Sequence, residues 1–457
     1  MHLARHISHH LLTALLCVLA LVQARNASAL GLLQAYEAAL AHDPAYRAAQ
    51  FENEGAQQFE VLGRTHLLPV LSGSYSTQKN RADITTDSPL SGLPPRTEQR
   101  RYTSVSATLQ LRQPIYHPEG QARARQGLAQ TRASEAQFIA RSQDLMVRLI
   151  SLYVAAQYAQ DQLAQTKAQR DAYAEQRLSA LRLFQRGEGT RTDVLEAQAK
   201  FDVALAQVLE AHDNLGNASD ALAAMLGRDA SALGPLDLLA EDFQIKPLRP
   251  DSFDVWKTTA LDASPDLRAQ RYAVDIALEE VQKNEAGHLP RLDLIASASK
   301  NNSDTTNTFK QNANVLSVGV QLTVPLYAGG SVSAAVRQAV ANHEKAKADL
   351  DAKTNAVLLE LRKQFNVCMS SVARTAAAAT SLSSARLLVD ATEKSVKGGQ
   401  RTTLDVLNAQ QQLFEAQRDL ALARYNYLLG YARLRYAAGT LGRDDLQEMA
   451  AYFTPVK

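Results

Sequence analysis

Few residues of this 457-residue chain combine a type and a spacing that could do chemistry, and the best placed are two aspartates. Asp193 follows the run Arg186-Gly187-Glu188-Gly189-Thr190-Arg191-Thr192, and Asp405 follows Lys397-Gly398-Gly399-Gln400-Arg401. Each stands just past a glycine-containing turn, in the first turn of the helix that follows. A carboxylate there suits the positive end of a helix dipole. Its remaining chemistry is electrostatic: it can hold a negative charge at a fixed point, attract cations or pair with an arginine. Nothing equips it for catalysis. The chain has no His-Glu-x-x-His helix, no phosphate-cradling loop, no Gly-x-Gly-x-x-Gly after a strand and no paired-cysteine metal spacing. Of its ten histidines, His2, His6, His9 and His10 sit in the first residues. The other six, His42, His66, His117, His212, His288 and His343, are scattered as solvated or capping residues are. The sequence therefore predicts a protein that is not an enzyme and needs no cofactor or metal.

The bulk composition narrows the class further. With 49 basic and 47 acidic residues the net charge is +2, and neither sign forms a long run. That balance gives no electrostatic footprint for nucleic acid. Residues 1–29 read as a signal peptide: a polar start, an apolar run from Leu11 to Val22, and Ala27-Ser28-Ala29 as a cleavage site. Cys17 lies in that leader, and Cys368 reads as a small buried side chain on a helix. No later stretch is apolar over the about 20 residues that a membrane helix needs. Any membrane crossing must then use strands, which satisfy their backbone groups in lipid only as a closed barrel.

The elements that position the two aspartates are written twice. Asp43-Pro44-Ala45-Tyr46-Arg47-Ala48 recurs as Ser264-Pro265-Asp266-Leu267-Arg268-Ala269. Pro114-Ile115-Tyr116 recurs as Pro325-Leu326-Tyr327, and Asp193-Val194-Leu195-Glu196-Ala197-Gln198 as Asp405-Val406-Leu407-Asn408-Ala409-Gln410. Matches that keep register along the chain mark a duplication. Residues 30–227 form the first repeat, 228–262 a linker, 263–439 the second repeat and 440–457 a tail. Each repeat is predicted to run helix, two strands, very long helix, tight turn, returning helix. The first helix is expected over about 32–66. The long helices are expected over about 119–185 and 331–397, each roughly 100 Å at 1.5 Å per residue. Phe138, Leu145, Leu149, Leu152, Ala156, Ala159 and Leu163 follow coiled-coil spacing, and Ile139, Met146, Ile150 and Tyr153 form a second stripe beside them. Two stripes fit a cylinder of helices; one seam alone fits an antiparallel hairpin. The helix pattern by itself leaves both open.

Between the helices, apolar and polar residues alternate over 104–112, 292–299 and 316–324, and more weakly over 70–80. The lengths are those of tilted membrane strands, and two hairpins give four strands per chain. Four strands cannot close, so a barrel must be shared between chains.

The run Gly399-Gln400-Arg401-Thr402-Thr403-Leu404-Asp405-Val406-Leu407-Asn408-Ala409 resembles the second tip and returning helix of the TolC family. The resemblance continues through Ala423-Arg424-Tyr425-Asn426-Tyr427-Leu428 to Gly439-Thr440-Leu441, and includes Leu32 to Arg47 and Pro325-Leu326-Tyr327-Ala328-Gly329-Gly330. It implies mixed α and transmembrane β architecture: a homotrimer whose four strands per chain complete a twelve-stranded barrel, continued by an α-barrel tunnel through the periplasm from the outer membrane. It also implies partners, a periplasmic adaptor and an inner-membrane ABC or proton-driven exporter, with type I secretion favoured over drug efflux. The linker matches an equatorial layer. The family's two constriction carboxylates fall on Asp405 and Asn408, so one ring is acidic and the next an amide. Its locking arginine falls on Arg401 and that residue's partners on Thr192 and Asp193, while the locking tyrosine's position holds Val396. Gly187, Gly189, Gly398 and Gly399 then mark the helix-tip turns where an adaptor docks. The plainer reading of Asp193 and Asp405 is that both only complete the start of a helix.

Overall fold

The computed structural model describes residues 30–86, 96–240, 243, 245–303 and 311–454. The expected signal peptide at 1–29 lies outside the described residues. In chain order the main elements are α1 (Leu32–His42), α2 (Pro44–Ala56), α3 (Gln58–Thr65), β1 (Val70–Thr86), β2 (Arg96–Tyr116), α4 (Pro118–Gln185) and α5 (Arg191–Leu226). Then follow β3 (Leu238–Leu239), α6 (Phe253–Ala263), α7 (Pro265–Glu285), β4 (Arg291–Ser303), β5 (Gln311–Thr323), α8 (Ser331–Lys397) and α9 (Thr403–Ala437). Last come α10 (Arg443–Ala450) and β6 (Phe453–Thr454). Helices, a hairpin, a very long helix and a returning helix thus occur twice. Neither long helix contains a proline after its first residue, and alanine is the commonest residue in both, so nothing breaks the backbone ladder.

The helix expected over 32–66 is three helices. Asp43 breaks it because its side chain is used as a cap: Oδ1 accepts the Tyr46 backbone N–H at 2.7 Å. Pro44 then starts α2, where its missing N–H costs nothing. Ser264-Pro265 divides α6 from α7 at the corresponding point of the second repeat. The stretch expected as a linker, 228–262, likewise contains most of α6, whose Trp256 is buried.

The chain divides into two compact units, each assembled from both repeats. One comprises residues up to Gln50, Phe138–Pro265 and Thr354 onward. Its core joins α1, α4, α5, α9 and α10 around Leu145, Leu149, Ile150, Tyr153, Leu222 and Leu428. Both stripes of α4 are used there, since Leu145 and Leu149 of one and Ile150 and Tyr153 of the other are all fully buried. The tail at 440–457 is tied into this core. Leu446 and Met449 are buried, β6 pairs with β3, and the Phe453 ring stands edge-on to Tyr153 with centroids 5.6 Å apart. Gly439 ends the returning helix with φ +72°, and a Cβ there would lie 2.5 Å from the Ser264 Cα. Only glycine fits both the conformation and the gap.

Asp43 also accepts from Arg148 Nη1 at 3.0 Å, and its side chain is only 5% exposed. Burial alone would raise its carboxyl pKa, but the bonds from Arg148 and from the Tyr46 and Ala45 backbone hold it below the usual range. Asp43→Ala should therefore cost about 1–3 kcal/mol, from the lost cap and the lost charged hydrogen bonds. Because folding depresses this pKa, the contribution is present above about pH 4 and is lost as pH falls through the folded value. Denaturant midpoints of the two proteins should differ at neutral pH and converge in acid.

The second unit comprises Phe51–Gln137 and Asp266–Lys353. Its centre is a four-stranded antiparallel sheet in the order β1-β2-β4-β5. The middle pairing, β2 with β4, joins the hairpin of the first repeat to that of the second. Within the chain, β1 and β5 are the outer strands and pair on one side only. The strands run 13 to 21 residues, longer than the alternating stretches that predicted them.

Candidate functional site

The two helix tips are built alike. α4 ends in a turn in which the Gly187 N–H donates to the Phe184 carbonyl at 3.0 Å and the Glu188 N–H to Leu183 at 2.9 Å. α8 ends the same way, Gly399 donating to Val396 at 2.9 Å and Gln400 to Ser395 at 3.0 Å. This double bond pattern satisfies the last free carbonyls of a helix and requires a left-handed residue. Gly187 and Gly399 supply it, with φ +77° and +76°. Gly189 and Gly398, expected alongside them, do not have positive φ.

Each returning helix then opens with a reciprocal cap. Thr190 caps α5 and Thr402 caps α9, each accepting the N–H of the aspartate three residues on. Asp193 Oδ2 takes the Thr190 N–H at 2.9 Å and its hydroxyl at 2.7 Å; Asp405 Oδ2 takes both from Thr402 at 3.0 Å. The aspartate alone does not reveal these threonine caps; Thr-x-x-Asp, a variant of the capping box, is the signal in the sequence that marks them. At Asp405 the bonds from the Thr402 backbone and side chain, with the charge of Arg401, hold the carboxyl below its usual range. It is a fixed negative charge at neutral pH. Asn408 lies one turn on and is exposed, as are Arg401 and Thr192. Within one chain, among the described residues, no hydrogen bond or ion pair joins Arg401 to Thr192 or Asp193. What does join the two hairpins is Lys200, whose Nζ donates to Gln411 Oε1 at 2.6 Å, and Leu407, packed with Tyr173, Ala180, Ala197 and Ala204. The Arg177 guanidinium covers the Phe201 ring at 4.6 Å.

The sheet has two unlike faces. Directly paired residues share a face. Register therefore places Leu71, Tyr75, Val105, Ala107, Leu109, Leu111, Leu294, Ala296, Ala298, Leu316, Val318, Val320 and Leu322 on one side. Leu109, Leu316, Val318, Val320 and Leu322 are each more than half exposed, an apolar surface that water does not favour. The other side presents Ser72, Ser74, Ser76, Gln78, Ser104, Ser106, Thr108, Gln110, Ser297, Ser299, Asn301, Ser317 and Gln321. Ser106 bonds Asn301 at 2.7 Å and Ser297 bonds Ser317 at 2.7 Å across that polar face. Among the described residues no helix is long and apolar enough to cross a membrane. The sheet is the part suited to lipid on one side and water on the other.

A lipid-suited sheet joined to long paired helices with capped tips defines a channel protein of the outer-membrane kind. The chain belongs to the outer membrane efflux protein family, whose sequence model matches residues 35–228 and 256–440. This is the family that the tip, the returning helix, Leu32 to Arg47 and Pro325 to Gly330 resemble, and its members are transport channels. The alkaline protease secretion protein AprF of Pseudomonas aeruginosa is 42% identical over 97% of this chain and 91% of its own length. The proteases secretion protein PrtF of Dickeya chrysanthemi is 38% identical over 96% and 94%. The crystal structure of the outer membrane protein VceC of Vibrio cholerae has the same fold, with TM-score 0.76, 19% identity, and coverage of 89% of this chain and 96% of that one. The protein is thus an outer-membrane channel.

Proposed function

We propose that three copies of this chain form an export duct for type I protein secretion, fed by an inner-membrane ABC exporter through a periplasmic adaptor. The observation that carries the secretion reading is end-to-end similarity to two protease secretion proteins, AprF and PrtF. Drug efflux remains the second reading, on the family's description. Three chains would join β5 of one to β1 of the next, giving twelve strands and no open edge in lipid. The unlike faces of the sheet support lipid outside and water within. The segment at 228–262, with β3, β6 and α10, would form the equatorial layer.

At the tips, three copies of Asp405 would make one acidic ring and three of Asn408 an amide ring one turn away. Because Arg401 has no partner at Thr192 or Asp193 in its own chain, a lock through these residues would join neighbouring protomers. Exposed Leu181, Phe184 and Leu195 beside the first tip turn suit an adaptor helix. The reading is tested by expressing the chain in P. aeruginosa lacking AprF. Restored extracellular alkaline protease is the expected result; protease retained in the cell at full channel expression would contradict it.

A further inference from the structure

The polar face of the sheet carries mainly hydroxyls and amides, with Tyr102, Ile295 and Val315 among them, and charge gathers on it at one place. Along β1 from 70 to 80, β2 from 102 to 112, and all of β4 and β5, the charged side chains on that face are Arg112, Arg291 and Asp293. They meet at one end of the sheet, where β2 runs into Pro114 and β4 begins after Pro290. Arg112 Nη2 donates to Asp293 Oδ2 at 2.6 Å across the seam between the two repeats. Arg291 Nε donates to Oδ1 of the same carboxylate at 3.1 Å and lies 2.9 Å from Oδ2.

The arrangement is lopsided. The Asp293 side chain is 0% exposed, whereas those of Arg112 and Arg291 are 43% and 33% exposed. Water therefore meets two cations with their shared anion beneath them, an excess of one positive charge per chain. One carboxylate engages a single nitrogen of each guanidinium, so most of their N–H donors are uncommitted. The buried Arg112 Nε has no hydrogen-bond partner. Guanidinium forks with spare donors select carboxylates and phosphates, which they bind through two bonds at once.

We propose that this trio is an anion-engaging station on the water-filled side of the barrel, where it meets acidic side chains of the polypeptide being exported. The proposal rests on the reading that the polar face lines the lumen and that the cargo is protein. Carboxylate and phosphate share the chemistry, and the cargo's carboxylates are the source assigned here. The trio also ties β2 to β4, so a test must separate recognition from latching.

Binding of a fluorescein-labelled hexa-aspartate peptide to the detergent-solubilised full chain, read by anisotropy at about 0.01 M salt where screening is weak, makes that separation. Arg112→Gln and Arg291→Gln should each weaken binding roughly tenfold, the scale of one charged hydrogen-bond pair. Asp293→Asn should tighten it severalfold, because it adds one net positive charge per chain and releases both guanidiniums. A latch alone predicts that all three changes weaken binding or leave it unchanged, and either pattern overturns the proposal. Arg291→Gln keeps the Arg112–Asp293 pair, so the test stands even if Arg112→Gln fails to assemble. Inorganic phosphate at constant ionic strength should need at least about tenfold the peptide's concentration for half displacement, because the peptide can meet three trios at once and a free ion meets one; half displacement at equal concentration would make this a free-ion site and overturn the assignment to cargo.

The lumen reading has its own control. Membrane-impermeant maleimide should label Ser297→Cys on the polar face and not Val318→Cys on the apolar face. The background is low, since Cys368 is buried and its thiol is pushed up to about 12 by desolvation. Labelling of Val318→Cys alone would overturn the lumen assignment rather than the affinity of the trio for anions.

Discussion

Channels carrying Asp405→Asn should lose most of their preference for cations in planar-bilayer recordings, and block by a trivalent cation should need roughly a hundredfold more blocker. In the proposed ring three like charges would act together on a single trivalent ion, so losing all three would remove the site rather than trim it. Asparagine is the informative replacement. Asp405 Oδ2 closes the Thr402 cap. An amide oxygen can still accept those bonds, so charge is removed while the helix start is kept. Arg401→Ser should do the converse, raising conductance by loosening contacts between neighbouring hairpins while leaving selectivity largely intact. If Asp405→Asn leaves both selectivity and block unchanged, the aspartate serves only the cap and the constriction lies elsewhere.

Arginine at Val318 should cost about 2–4 kcal/mol near the bilayer midplane, and arginine at Gln321 close to nothing. Both positions lie on β5 and so meet the same proposed seam with β1 of the next chain, which leaves the face as the difference between them. Val318 pairs with Ala296 on the apolar face, and Gln321 with Asp293 on the polar face. The readout is the fraction of chain recovered as heat-resistant oligomer from outer membranes. Val318→Arg should deplete that fraction severely and Gln321→Arg should not. Equal loss from both would mean that the two faces do not meet different solvents.

What the sequence revealed follows from how local each signal is. α8 has the bounds predicted for it and α4 begins one residue earlier than predicted, because heptad spacing, the absence of internal proline and a terminal glycine are all readable within one segment. Gly187 and Gly399 are visible for the same reason, while Thr190 and Thr402 read as ordinary turn residues unless paired with the aspartates three positions on. The break at Asp43 was also legible, since an aspartate before a proline is a helix start; apolar residues on both sides disguised it as a continuous helix. The strands outrun their alternating stretches because β1 continues through Lys79, Arg81 and Asp83, which put charge on the face that Leu71 and Tyr75 make apolar, and β2 opens with the charged residues Arg96, Glu98, Arg100 and Arg101. The trio of Arg112, Arg291 and Asp293 was beyond reach. Its members are up to 181 positions apart, and only the β2–β4 register brings them together. The same holds for Lys200 and Gln411, 211 positions apart.

The shared barrel is the central claim, and its stoichiometry tests it most directly. Each chain brings four strands, with β1 and β5 open on their outer sides. Native mass spectrometry of the protein released from detergent should give one species at three times the mass of the mature chain. A stable monomer, or an oligomer of even number, would contradict a barrel closed by three chains.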